Sequence, residues 1–209
     1  MPTEPVGWNA VVVGAWNRAI LTPDGIRRRL FGLPDGSPIE VEVAVDQPGS
    51  FRVVHDGVIV VPSARALEVA PRELTAEALA RASEVCVRAL RALPETPVAA
   101  AGLNIRYVLS ELPDHLLDLV ESQLNAAFSD SGFEVVAAST KRTLRVAPGV
   151  VNVTISTVGV QGKLEFNFHR DSAVPGELVE WLQRVPEFAQ LANRLAAAVG
   201  VVDAGIEIH

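Results

Sequence analysis

The side chains from which this chain could build chemistry are few: four histidines, one cysteine and a run of three arginines. His169 and Asp171 form the best acid–base or metal-binding pair, because both fall where a predicted strand runs into a loop and a carboxylate can orient an imidazole. Two ligands from one short segment leave a metal site incomplete. His55-Asp56 lies in a predicted turn, where aspartate suits the turn geometry. His115 follows Asp114 in the first turn of a predicted helix, so the acid meets the positive dipole end and the histidine faces water. Cys86 would need exposure and a neighbouring base to act as a nucleophile, yet helical spacing puts it on a buried stripe. As the single cysteine it also excludes a disulfide scaffold and a cysteine-rich zinc site. Arg27-Arg28-Arg29 invites phosphate binding, but successive helical residues diverge by about 100°. A solvated surface is expected there, with a partner contact as the functional use. The glycines near Gly14, Gly25 and Gly32 lack the spacing and the lysine of a phosphate loop, and no nucleophile elbow or two-histidine zinc helix occurs. No catalytic set, metal or cofactor is therefore expected.

The elements that would carry these residues follow from hydrophobic period and turn chemistry. Residues 9–16 read as a buried strand. Thr22, Pro23 and Gly32 bracket a short helix with Ile26 and Leu30 on one face. Ile39, Val41, Val43 and Val45 alternate with Glu40, Glu42 and Ala44, predicting a strand with one buried side, and residues 46–50 turn the chain. Asp56-Gly57 between β-branched runs predicts a two-residue hairpin with His55 opposite Val58 and Val53 opposite Val60. A short strand at 65–69 follows. Leu74 and Thr75 then open a helix whose stripe is Leu79, Ala82, Cys86, Ala89 and Leu93, with Leu74 stapled to Leu79. Pro94 stops it.

The order then recurs. Residues 97–109 form a strand, and 113–128 a helix with the stripe Leu117, Val120, Leu124 and Phe128. Residues 133–146 are extended, with a bend at Ser139-Thr140. Pro148-Gly149 and 159–162 are turns into two further strands. A final helical region from Glu177 carries Leu178, Leu182, Val185, Leu191, Leu195 and Val199, with Pro186 placing a kink or break after Val185. The expected fold is α+β: two similar strand, helix, three or four strands, helix units at 1–95 and 96–200, forming a mainly antiparallel sheet with helices on one face. Joining through strands 9–16 and 97–109 would bury two sheet edges. Residues 201–209 are a tail, frayed or strand-forming. In this element order the chain resembles the saddle fold of the TATA-binding protein family. The resemblance implies an open sheet face that binds nucleic acid.

The last three strands alternate cleanly. Leu144, Val146, Val151, Val153, Ile155, Leu164, Phe166 and Phe168 share one face. Lys141, Thr143, Arg145, Asn152, Thr154, Ser156, Glu165, Asn167 and His169 share the other, which meets water or a partner. Groups that grip a duplex should be basic. Here Glu40 and Glu42 belong to the open face of the first half, the net charge is −7, and the basic contribution is Arg106, Lys141 and Arg145. An acidic half-sheet beside a more basic one suits a protein partner or self-association. The expected role is therefore a non-catalytic protein-binding or assembly module using the open face or the sheet edges. A nucleic-acid-binding saddle and a small-molecule site or enzyme near His169 are the alternatives. Trp8, Trp16 and Trp181 are core or interface anchors.

No apolar run reaches the roughly 20 residues of a spanning helix, no membrane is expected as a partner, and the N-terminal residues lack a signal-peptide pattern. A cytoplasmic location follows. Lys141 and Lys163 are the only lysines among many arginines, a bias typical of a GC-rich bacterial genome.

Overall fold

The computed structural model describes residues 5–43, 49–159 and 161–201. The turn expected at 46–50, the end of the preceding strand and the tail beyond Val201 lie largely or wholly outside these residues. The described chain is α+β, with six helices and a nine-stranded antiparallel open sheet. In chain order the elements are β1 (Pro5–Gly14), α1 (Pro23–Arg29), β2 (Glu40–Val43), β3 (Phe51–His55), β4 (Val58–Pro62), β5 (Ala66–Pro71), α2 (Ala76–Ala92), β6 (Val98–Leu109), α3 (Asp114–Val120), α4 (Gln123–Asp130), β7 (Ala137–Val146), β8 (Gly149–Val158), β9 (Gln161–Asp171), α5 (Pro175–Leu182) and α6 (Val185–Ala198). The strand order is β2-β3-β4-β5-β1-β6-β9-β8-β7. Two compact units are present, one of residues 8–103 with 169–189, the other of 104–168 with the described parts of 1–7 and 190–209.

The first of these units follows its local signals closely. Thr22 caps α1, its Oγ1 accepting from the Gly25 amide at 3.1 Å, and Ile26 and Leu30 are buried. Thr75 caps α2 in the same way, accepting from the Ala78 amide at 3.2 Å. The α2 stripe Leu79, Ala82, Cys86 and Ala89 is fully buried, and the helix packs on β4, β5, α1 and α5. The buried Ser83 hydroxyl donates to the Leu182 carbonyl at 2.7 Å, tying α2 to α5. The hairpin has the expected register, Val53 opposite Val60 and His55 opposite Val58. Asp56 and Gly57 both take positive φ, 46° and 70°, as a primed two-residue turn demands.

Two expectations fail in this unit. The valines of β2 are exposed, Val41 at 41% and Val43 at 66%, because β2 is the terminal strand of the sheet. Alternation predicts a shared face but not that anything covers it. The arginine run is also not uniformly solvated. Arg27 is buried, donating to Asp24, to Asp35 and to the Pro34 carbonyl, while Arg28 pairs with Asp24 at 2.6 Å.

In the other unit β7 and β8 pair without interruption from Ala137–Val158 to Val146–Gly149. The bend expected at Ser139-Thr140 is absent because both residues keep ladder partners. Val151, Val153, Ile155, Leu164, Phe166 and Phe168 are buried as the alternation requires, whereas Leu144 on terminal strand β7 is 41% exposed. The single helix expected over 113–128 is two. Glu121 and Ser122 are extended (ψ 135° and 163°), and Ser122 begins α4 as a new N-cap residue. The break separates the stripe: Val120 is buried and Leu117 half-buried, but Leu124 and Phe128 are exposed.

The last helical region also divides, α5 closing at Leu182 and α6 opening at Val185. The expected interruption is thus a break, placed just before Val185 rather than after it, and Pro186 stands in the first turn of α6, where its missing amide costs nothing.

Candidate functional site

On the open face of the second unit the polar residues of four strands join end to end. The Thr143 hydroxyl donates to Asn152 Oδ1 at 2.8 Å, Asn152 Nδ2 donates to Asn167 Oδ1 at 3.0 Å, and Asn167 Nδ2 donates to Asn104 Oδ1 at 2.7 Å. Side chains two apart on a strand and opposite across the ladder share a face, so one row crosses β7, β8, β9 and β6. Beside it, Arg106 pairs with Glu165 at 3.6 Å, and Lys141 stands opposite Thr154 in register. Lys141 and Arg145 are exposed and have no ion pair among the described residues.

Thr143, Asn152, Asn167, Arg106, Glu165, Lys141 and Thr154 are thus brought together as the alternation implies. Asn104 belongs to the row but escapes sequence reasoning. Its strand is apolar on both faces, and only its spacing of two from Arg106 signals which side it takes. Glu40 and Glu42 do not form an acidic field. On β2 they meet Arg72 at 3.0 and 3.2 Å, and Glu42 also faces Arg52 at 3.8 Å. The contrast between acidic and basic half-sheets is correspondingly weakened by local pairing.

The histidine candidates separate in the same plain way. His169 Nε2 lies 2.9 Å from Asp171 Oδ1, but no group of three His, Cys, Asp or Glu side chains able to hold a metal occurs among the described residues. The neighbouring Arg170 and Ser172 bond to Glu177 instead, and that cation and hydroxyl hold the Glu177 carboxyl below its ordinary value of 4.5. His55 packs against Phe31 with ring centroids 5.3 Å apart. His115 Nε2 meets the Val199 carbonyl at 2.8 Å. Burial pushes the Cys86 thiol well above its ordinary range, so it is not a thiolate nucleophile.

A second surface of this unit has no counterpart in the sequence expectations. None of the residues of α4 is buried. Leu124 and Phe128 on it, with Phe133 and Val136 in the segment that follows, are 45–68% exposed. Beside them a cavity of about 490 Å³ is lined by Glu121, Asn125, Glu134, Ala138 and Thr157 among others. An amphipathic helix normally turns its apolar side inward, whereas here four large apolar side chains are left exposed. The only sequence signal was the stripe itself.

Among the described residues no helix is long and apolar enough to cross a membrane. No model of a known protein family matches the chain, and no curated protein matches it in sequence.

Proposed function

We propose that the chain is a non-catalytic protein-binding or assembly module of the cytoplasm, built from two similar units at 1–95 and 96–200. The strand order supports the duplication: β2-β3-β4-β5-β1 and β7-β8-β9-β6 each run inward from an edge to the first strand of their own half. It is also what supports the likeness to the TATA-binding protein saddle. The single buried cysteine fits a reducing compartment.

The observation that carries the binding role is α4, a helix without a buried residue, followed by exposed Phe133 and Val136. Large aromatic and aliphatic side chains at such a site are the usual anchors of a protein contact. The polar row and the cations Lys141 and Arg145 would supply orientation rather than most of the affinity. Light scattering across a concentration series, with a pull-down from cell extract, tests this. The expected result is self-association or a captured protein, lost in Phe128→Asp and Phe133→Asp chains that keep their circular dichroism. A monomer at every accessible concentration that captures nothing would overturn the role.

A nucleic-acid saddle has a weaker observation in its favour, the cations Lys141 and Arg145, which have no ion pair among the described residues. Arg106 is already matched by Glu165. That reading expects a salt-sensitive gel shift weakened by neutralising the three.

A further inference from the structure

We infer that the α4 surface receives a cationic amphipathic segment of another protein, whose apolar side chains cover Leu124, Phe128 and Phe133 and whose lysines or arginines meet the carboxylates around them. The inference rests on the binding role proposed for α4 and names the chemistry of its partner. Leu124 and Phe128 are four apart on the helix and so share a face. Phe133 follows shortly after the helix ends, and all three are exposed.

Charge selects the occupant. Residues 110–136 hold six of the chain's 25 acidic side chains and none of its 18 lysines and arginines. The six, Glu111, Asp114, Asp118, Glu121, Asp130 and Glu134, are all exposed and have no ion pair among the described residues. Two of them border the groove of about 490 Å³ beside α4, Glu121 at the break before the helix and Glu134 in the segment after it. Asn125 and Ser129, four apart on α4, line it as well. Carboxylate, amide and hydroxyl oxygens can all accept from an ammonium or guanidinium group. Successive helical residues diverge by about 100°, so Asn125 and Ser129 stand on the side of α4 next to Leu124 and Phe128. An acceptor-lined groove thus runs beside an apolar stripe.

A helix or strand that carries cations next to apolar residues matches both at once. Nucleic acid and anionic lipid are repelled by the same carboxylates. A second copy of this chain offers Lys141 and Arg145, but within the polar sheet face beside Thr143, Asn152 and Thr154. It meets the charge better than it meets the apolar anchors.

The probe is a fluorescein-labelled peptide of about 18 residues, leucine at helical spacing on one side and lysine on the other, titrated with the full 209-residue chain and followed by anisotropy. Two companions are a peptide of the same composition permuted to remove the stripe, and one with glutamate in place of every lysine. The expected result is saturable binding of the first, weakened by salt, with the other two roughly tenfold or more weaker. Glu121→Lys with Glu134→Lys should lower affinity for the lysine peptide roughly tenfold or more and raise it for the glutamate peptide. Glu73 and Glu95 are exposed and lie in the other unit. Glu73→Lys with Glu95→Lys makes the same change in net charge there and should leave affinity within about twofold. No binding of the lysine peptide, equal binding of the permuted one, or equal losses from the two reversals would overturn the inference. The binding role is read separately, from association that Phe128→Asp and Phe133→Asp remove. Where that association occurs and the lysine peptide neither binds nor displaces it, the inferred chemistry falls and the role stands; where both are absent, both fall.

Discussion

Asn167 bonds to an amide on either side, accepting from Asn152 and donating to Asn104. Removing it takes one partner from each neighbour, and Asn104 among them is buried. Asn167→Ala should therefore lower unfolding free energy by about 1–3 kcal/mol in a urea titration, whereas an exposed, unlinked polar position would change by less than about 0.5 kcal/mol. Tyr107 presents the opposite case. Its hydroxyl is buried without a hydrogen-bond partner among the described residues, burial alone pushing its pKa up to about 12, while its ring meets Phe166 edge-on at 5.9 Å. Tyr107→Phe keeps the ring and removes the unpaired group, so stability should hold or rise by up to about 1 kcal/mol. A clear loss would show that the hydroxyl has a partner after all. Glu177 sets a pH effect. Its carboxyl is held below 4.5 by Arg170 and Ser172, so its contribution is present above the unfolded-state value and vanishes as pH falls through the lower folded one. Glu177→Gln should cost stability at neutral pH and flatten the fall in thermal midpoint on acidification through the carboxylate range. At this scale the sequence shows partners only where strands alternate strictly. Thr143, Asn152 and Asn167 are legible; Asn104 is hidden in a strand buried on both sides, and the burial of Arg27 depends on a carboxylate, Asp35, that a loop brings back to it.

Period, caps and turns made most elements legible, since Thr22, Thr75 and Asp56-Gly57 act through neighbours within a few residues. Covering is a different matter, because a helix stripe has the same spacing whether or not another layer lies on it. Val41 and Val43 on β2, and Leu124 and Phe128 beyond the Ser122 break, are the places where that distinction matters. It can be measured directly. Leu116 on α3 is buried, so Leu116→Ala should cost about 2–5 kcal/mol. Phe128→Ala, on the same predicted helix, should cost less than about 1 kcal/mol because its ring is already in water in the unpartnered chain. A loss at Phe128 matching that at Leu116 would mean that α4 is packed in solution and is not a surface awaiting a partner.

For the molecule as a whole, composition shows little beyond a chain apolar enough to bury a core, and the net charge of −7 is spread through local pairs such as Arg72 with Glu40 and Glu42. What composition could not convey is that the compact units are not consecutive in sequence. β6 passes from one to the other at Leu103–Asn104, and β9 at Phe168–His169. Each of these strands is continuous, so melting its portion in one unit strips ladder support from the portion in the other, and independent unfolding is disfavoured. The distribution of aromatics makes this testable without labels. Trp8, Trp16 and Trp181 all belong to the unit of residues 8–103 and 169–189, so tryptophan emission follows that unit alone, whereas far-ultraviolet circular dichroism follows both. The two signals should give the same midpoint and the same slope in urea. An early loss of dichroism at constant tryptophan emission would show that the unit holding the polar row and α4 opens by itself.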